Sequence, residues 1–225
     1  MKNLLFIGDV VGKSGCDFLE SRIYSIKKKY NIDFTVINGE NSAQGNGITA
    51  FSAQQLVRNC GADVITTGNH CFKRRDSLSI YDEDNIIRPA NYPDGCAGKG
   101  ICMVDAGSFK IAVVNLMGTV YLDPLDNPFT LAEKLIPTLD TPNIFIDFHA
   151  EATAEKKAMG YFLAGKVTAV MGTHTHVQTS DETIIDGHTG YITDAGMTGP
   201  EQSVLGVDIK PAVDRMRFRF PTRFK

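Results

Sequence analysis

Eight side chains able to bind a metal or carry a proton follow apolar runs in this chain: Asp9, Glu40, Asn41, Asn69, His70, His149, His174 and His176. Asp9 comes after Leu4–Ile7, Glu40 and Asn41 after Phe34–Ile37, and Asn69 and His70 after Val64–Thr67. His149 ends the run Asn143–Phe148, and His174 and His176 come after Val167–Met171. The set mixes carboxylate oxygen, amide oxygen and imidazole nitrogen, with no thiolate. That mix suits manganese, iron or zinc better than an all-oxygen calcium or magnesium site or a sulfur-rich structural zinc. It also exceeds what one tetrahedral ion uses. Two ions roughly 3.5–4 Å apart, bridged by a carboxylate and a hydroxide, would use all of it. Glu40 is the natural bridge, because a carboxylate has two oxygens.

Taken singly, most of these residues have plainer readings. Asp9 could cap a helix, and Asn38-Gly39-Glu40-Asn41 and Gly68-Asn69-His70 could be turns. His149 could be a buried, hydrogen-bonded histidine. His174-Thr175-His176 is harder to set aside, since alternate positions in an extended segment point the same way. Four of the five histidines fall at these run ends, and only His188 does not. Jointly the residues favour a site.

The elements that must position them read as alternating strands and helices, the pattern of an α/β fold. In an open α/β sheet, ligands bind beyond the carboxyl ends of the strands, which would bring all eight residues to one edge. Helices are expected after Asp9, with Phe18, Leu19, Ile23 and Ile26 on one face, and from a Thr49 cap through Leu56 and Val57 to Gly61. The stretch 76–100 is broken by Pro89, Pro93, Gly95 and Gly98. Ile101–Val104 and Lys110–Asn115 read as a hairpin. Further helices are expected over Pro128–Leu139, capped by Asn127, over Ala154–Leu163, and from Asp208 toward Phe218. Val167–Met171 is the last clear interior strand.

The chain has 225 residues, 43% hydrophobic and 22% charged, with a formal net charge of −3. These values fit one soluble domain over 1–225 and give no electrostatic push toward nucleic acid or anionic membrane in bulk. The five cysteines are odd in number and lack CxxC spacing, which reads as reduced thiols in the cytoplasm. MKNLLFIGD lacks the length and cleavage pattern of a signal peptide. No apolar run approaches the roughly 20 residues of a membrane span.

Gly8-Asp9, Asn38-Gly39-Glu40-Asn41, Gly68-Asn69-His70, Phe148-His149-Ala150-Glu151 and Gly172-Thr173-His174-Thr175-His176 together resemble the calcineurin-like metallophosphoesterases, and more narrowly their YmdB-type bacterial branch. Arg88–Pro93, Asp126–Phe129 and Asp194–Pro200 extend the resemblance from residue 3 to about residue 221. It implies a four-layer α/β/β/α sandwich with a binuclear centre of iron or manganese, zinc being the alternative. One ion would be held by Asp9, Glu40, Asn41 and His176, the other by Glu40, Asn69, His149 and His174. His70 is similar to the histidine near the scissile phosphate in such enzymes. The implied activity is hydrolysis of cyclic nucleotides, 2',3'-cyclic ones first, or of related phosphodiesters.

The chain departs from the family pattern in two places. Relatives often follow Gly-Asn-His with an aromatic and an acidic residue, whereas here Cys71-Phe72-Lys73 follows. Lys73 is expected to shift substrate preference and Cys71 to make the site sensitive to oxidation. The chain also stops at Phe220–Lys225, where relatives commonly continue into further strands, so an exposed sheet edge and self-association are expected there. Two other functions fit the same residues: a nucleotide or sugar phosphomonoesterase, and a metal-containing regulatory protein contacting RNA or protein. The latter would use Lys27-Lys28-Lys29 or the Arg/Phe-rich tail from Arg215 to Lys225. A solvated helix face is the plainer reading of the lysines.

Overall fold

In the computed structural model, which describes residues 2–105, 107, 109–219 and 221, the strands divide into two sheets. The first is parallel and holds β1 (Leu4–Ile7), β2 (Phe34–Asn38) and β3 (Val64–Thr66), in that order. The second holds β4 (Ile101–Asp105), β5 (Lys110–Met117), β6 (Ile144–His149), β7 (Ala169–Thr173), β8 (Thr183–Ile185) and β9 (Thr189–Ile192), in the order β4-β5-β6-β7-β9-β8. Strands β5, β6, β7 and β9 run parallel, and β4 and β8 pair antiparallel at the two edges. The strand alternation alone does not distinguish one sheet from two; the two sheets are those the four-layer resemblance implied.

The period-two alternation of side chains explains how the sheets pack. Phe34, Val36 and Val64 from the first sheet meet Ile111 and Val113 from the second in one cluster, which is the contact between the sheets. The opposite faces turn to helices. Ile37 and Ile65 pack with Cys16, Leu19 and Ile23 of α1 (Gly12–Tyr30). Ala112, Val114, Ile146 and Phe148 pack with Ala132 of α3 (Pro128–Leu135) and with Met159 of α4 (Thr153–Phe162). The order of layers is α/β/β/α, as the resemblance implied.

The helices start and stop for local reasons. Thr49 and Ser52 form a capping box for α2 (Ala50–Gln54), which runs on as a π turn over Gln55–Asn59. Asn127 accepts from the backbone N–H groups of Phe129 and Thr130 at the start of α3. The α-helix predicted to reach Leu139 ends at Leu135 and gives way to a 3-10 turn, Ile136–Thr138, because Pro137 has no N–H to continue it. The final helix, α5 (Ile209–Phe218), follows Asp208, whose side chain makes no capping bond.

Val167–Met171 is not the last interior strand. The observed β7 is displaced to Ala169–Thr173, and β9 lies beyond it between β7 and the edge. The β8–β9 hairpin turns through Asp186 and Gly187, both in left-handed backbone at φ 50° and 71°. No helix among the described residues is long and apolar enough to cross a membrane. The expectations that rest on Phe220 and residues 222–225 lie outside the described residues.

Candidate metal centre

On the faces that meet between the sheets, the residues change from apolar to polar toward the carboxyl ends of the strands. Phe34 and Val36 lead to Asn38, Val64 to Thr66, Val113 to Asn115, and Phe145 to Asp147. All four of those polar residues are fully buried. The eight singled-out residues lie on the turns and strand ends just beyond, so the two halves of the site come from different sheets. Asp9, Glu40, Asn41, Asn69 and His70 follow strands of the first sheet, and His149, His174 and His176 end or follow strands of the second.

One group centres on His149. Its Nε2 lies 2.9 Å from Asn69 Oδ1, 3.1 Å from Glu40 Oε1 and 3.1 Å from His174 Nδ1. The tautomers follow from the partners on the far side of each ring. Thr173 Oγ1 donates to Asp147 Oδ1 at 2.7 Å, so it accepts the proton of His149 Nδ1 at 2.9 Å. His174 Nε2 faces Glu151 Oε2 at 3.0 Å and donates there. Two ring nitrogens and two oxygens thus converge as lone pairs, and a cation suits that arrangement. The ligand atoms of Glu40, His149 and His174 all lie within 4.8 Å of one another.

A second group lies on the other side of Glu40. Asp9 Oδ1, Glu40 Oε1 and His176 Nε2 are 3.3, 3.2 and 3.2 Å from the amide nitrogen of Asn41. His176 Nδ1 donates to the Leu205 carbonyl at 3.0 Å, which leaves Nε2 as a lone pair turned toward Asp9 Oδ1 at 3.6 Å. The Asn41 amide therefore sits among three acceptors. Turned over, it would add a fourth oxygen, and the group would match a cation with mixed oxygen and nitrogen donors.

The same oxygens that would hold a cation at His149 Nε2 also favour a proton there, so a cation would bind in place of that proton. Burial opposes a charge on His149, yet Glu40 and Asp9 outweigh it and push the imidazole up to about 9. His174 falls to about 4, through burial and the positive charge next to it on His149. Burial works to raise both carboxyls. His176 and His149 nevertheless hold Asp9 below its usual range, and His149 and His70 hold Glu40 well below its own. The pocket keeps its carboxylates ionised and draws in positive charge.

His70 stands at the rim. Its Nδ1 lies 3.0 Å from Asn41 Oδ1 and 3.2 Å from Glu40 Oε1, while its Nε2 is 3.4 Å from the Asn46 amide nitrogen. Gly68 lets the chain pass close to the centre, since a Cβ there would meet His149 Cδ2 at 2.2 Å and Glu40 Oε2 at 2.4 Å. Cys71 is buried, and burial pushes its thiol up to about 12, which argues against the expected oxidation sensitivity, since the thiolate is the reactive form. Lys73 is exposed, with its Cβ against the Gly47 turn. Lys27 Nζ donates to the Gly61 carbonyl and Lys29 lies over the Tyr30 ring, in keeping with the plainer reading of that lysine run.

The two histidines after β7 reach the site differently from what the sequence suggests. His174 and His176 have φ of 101° and 64°, so the segment is a left-handed turn and not an extended strand. Sequence reading also missed the buried polar residues behind the donors. Asn38, Thr66, Asp147 and Thr173 hydrogen-bond to one another, and Lys156 pairs with Asp194 beneath Thr175. One signal was available: an aspartate inside the apolar run Ile144–Phe148, where a strand buried on both faces has no solvent for a carboxylate.

Known proteins resemble this chain in sequence and fold. A family model described as YmdB-like protein matches residues 5–225. A 2',3'-cyclic-nucleotide 2'-phosphodiesterase of Bacillus subtilis is 48% identical over 224 residues, covering 98% of this chain and 84% of that protein. The crystal structure of a hypothetical protein from Thermus thermophilus superposes with a TM-score of 0.94 at 36% identity, over 99% of this chain and 87% of the other. That of a novel phosphatase from Mycoplasma pneumoniae gives 0.94 at 33% identity, over 100% and 84%. With a family model matching nearly its whole length, and relatives this similar in sequence and fold, the chain belongs to the YmdB-like family, the branch its strand-end motifs resembled.

Proposed function

We propose that this protein is a metal-dependent phosphodiesterase that hydrolyses 2',3'-cyclic nucleotides or related phosphodiesters. The observation that carries the reading is the convergence of Glu40 Oε1, Asn69 Oδ1, His149 Nε2 and His174 Nδ1 as lone pairs, next to a second group that shares the same Glu40 oxygen. We assign one cation to Asp9, Glu40, Asn41 and His176 and another to Glu40, Asn69, His149 and His174. Iron or manganese fits these donors, with zinc as the alternative. When bound, such a pair supplies positive charge to the phosphoryl oxygens and lowers the pKa of a water.

The protein's own groups do the rest. Glu40, fully buried, turns Oε1 to both donor sets while Oε2 accepts from the His70 backbone N–H. His70 is held at Nδ1 by Glu40 Oε1, which leaves Nε2 as the atom that hydrogen-bonds or protonates the departing alkoxide. The relative from Bacillus subtilis supports the cyclic diester as the substrate class. We place the protein in the cytoplasm, where its cysteines stay reduced.

The test is metal content combined with hydrolysis of 2',3'-cyclic AMP, bis(p-nitrophenyl) phosphate and p-nitrophenyl phosphate in added manganese. About two ions per chain are expected, with diester turnover abolished by a chelator and restored by manganese. Faster turnover of the monoester would make the protein a phosphomonoesterase. Full metal occupancy with no turnover of any ester would favour a regulatory role.

A further inference from the structure

The carboxylate of Asp147 lies where the two sheets meet and accepts from both. Its Oδ2 takes hydrogen bonds from Asn38 Nδ2 of β2 at 2.9 Å and from Thr66 Oγ1 of β3 at 2.5 Å. Its Oδ1 takes the hydroxyl of Thr173 of β7 at 2.7 Å. None of the four side chains is exposed to solvent. Each stands one to three residues ahead of a metal-site residue: Asn38 before Glu40, Thr66 before Asn69, Asp147 before His149, Thr173 before His174. A single carboxylate thus ties together four strand ends that come from two sheets.

The same group sets a proton. Because the Thr173 hydroxyl is spent on Asp147, Thr173 can only accept from His149 Nδ1 at 2.9 Å. His149 must then carry its proton on Nδ1 and offer Nε2 to the centre. Partners of this kind, behind a metal-binding histidine, fix its tautomer and orientation. We propose that Asp147 is a positioning residue of the metal centre: through Thr173 it selects the His149 tautomer, and through Asn38 and Thr66 it holds the donors of one sheet in register with those of the other. This rests on the metal-centre reading given under Proposed function.

Asp147→Asn keeps the shape and replaces one acceptor oxygen by a donor. The Thr173 hydroxyl can then turn toward His149, which moves the imidazole proton to Nε2, into the space for the cation. Thr173→Val cuts the link and leaves Asp147 in place. Thr66→Val removes a donor to Asp147 without touching the His149 relay. The measurement is manganese binding by calorimetry to chelator-treated full-length protein, alongside near-UV circular dichroism.

Both Asp147→Asn and Thr173→Val should weaken one manganese site about 10–100-fold. The double variant should be no weaker than either single one, as expected of residues acting in one chain. Thr66→Val should lower stability and weaken manganese binding less than Thr173→Val does, because it loosens the register without moving the His149 proton. Wild-type affinity in Asp147→Asn or in Thr173→Val, or additive losses in the double variant, would overturn the proposal. If Asp147→Asn fails to fold, Thr173→Val decides alone. A parent protein that binds no manganese would refute the metal centre itself, a result distinct from unchanged affinity in the variants.

Discussion

Lys156 Nζ lies 2.6 Å from Asp194 Oδ2, and neither side chain reaches solvent, with exposures of 1% and 0%. The same Asp194 oxygen accepts from Thr175 N at 3.1 Å and Thr175 Oγ1 at 2.7 Å, and Oδ1 accepts from Gly196 N at 2.8 Å. Thr175 separates the two left-handed histidines of the site. Such backbone persists only where its surroundings over-determine it, and this ion pair is part of what does so. Lys156→Met would leave a buried carboxylate without its cation. A loss of about 3–5 kcal/mol is expected, read from the urea unfolding midpoint. Unchanged stability would mean that the buried ion pair does not hold this turn in solution.

His70 and Glu40 touch one another, yet their replacements should behave in opposite ways. His70→Ala should retain both metals and lower turnover about 10²–10⁴-fold, the range for losing a general acid. Glu40→Ala should empty the centre, because one side chain serves both donor groups. Metal analysis with kcat on 2',3'-cyclic AMP separates the two. Metal loss in His70→Ala would make that histidine a ligand, and a full load in Glu40→Ala would rule out the bridge.

Asp181 couples stability to pH. Its carboxylate accepts from Thr179 Oγ1, from Thr193 N and Oγ1, and from Lys157 Nζ at 2.9 Å. Partial burial would raise its pKa, but these donors, Thr193 foremost, hold it far below the usual carboxylate range. The unfolded chain therefore binds this proton more readily than the folded one. The contribution is complete above the unfolded pKa of about 3.9 and is lost as pH falls through the lower folded value. Asp181→Asn should be less stable than the parent at pH 6, with the difference shrinking at pH 3. A difference that grew on acidification would contradict this sign.

Much of the site was legible because each strand announces its end. Glycine, asparagine or a charged residue interrupts an apolar run, and the candidate donors stand at or just after those interruptions. The division into two sheets was not legible in the strand–helix alternation itself; the family resemblance implied it. Strand–helix alternation reads alike whether the next strand joins the same sheet or starts another, and the break falls in the irregular stretch between β3 and β4. The β8–β9 hairpin was missed because its strands are three and four residues long, although Asp186-Gly187 between them is a recognised hairpin turn. Asp147 was passed over as one residue of a buried strand. Its importance comes from three partners distant in sequence, Asn38, Thr66 and Thr173, which only the folded chain brings together.

The split of the donors between two sheets also bears on how the protein is made. Asp9, Glu40, Asn41 and Asn69 leave the ribosome well before His149, and His174 and His176 follow later still. Until β7 and its turn have emerged and the sheets have docked, neither donor group is complete. A growing chain is therefore a poor scavenger of ions. On the donor assignment proposed above, the metal would be chosen by a finished cavity, whose shape and donor geometry can discriminate, instead of by an unfolded chain that would take whichever cation binds most avidly.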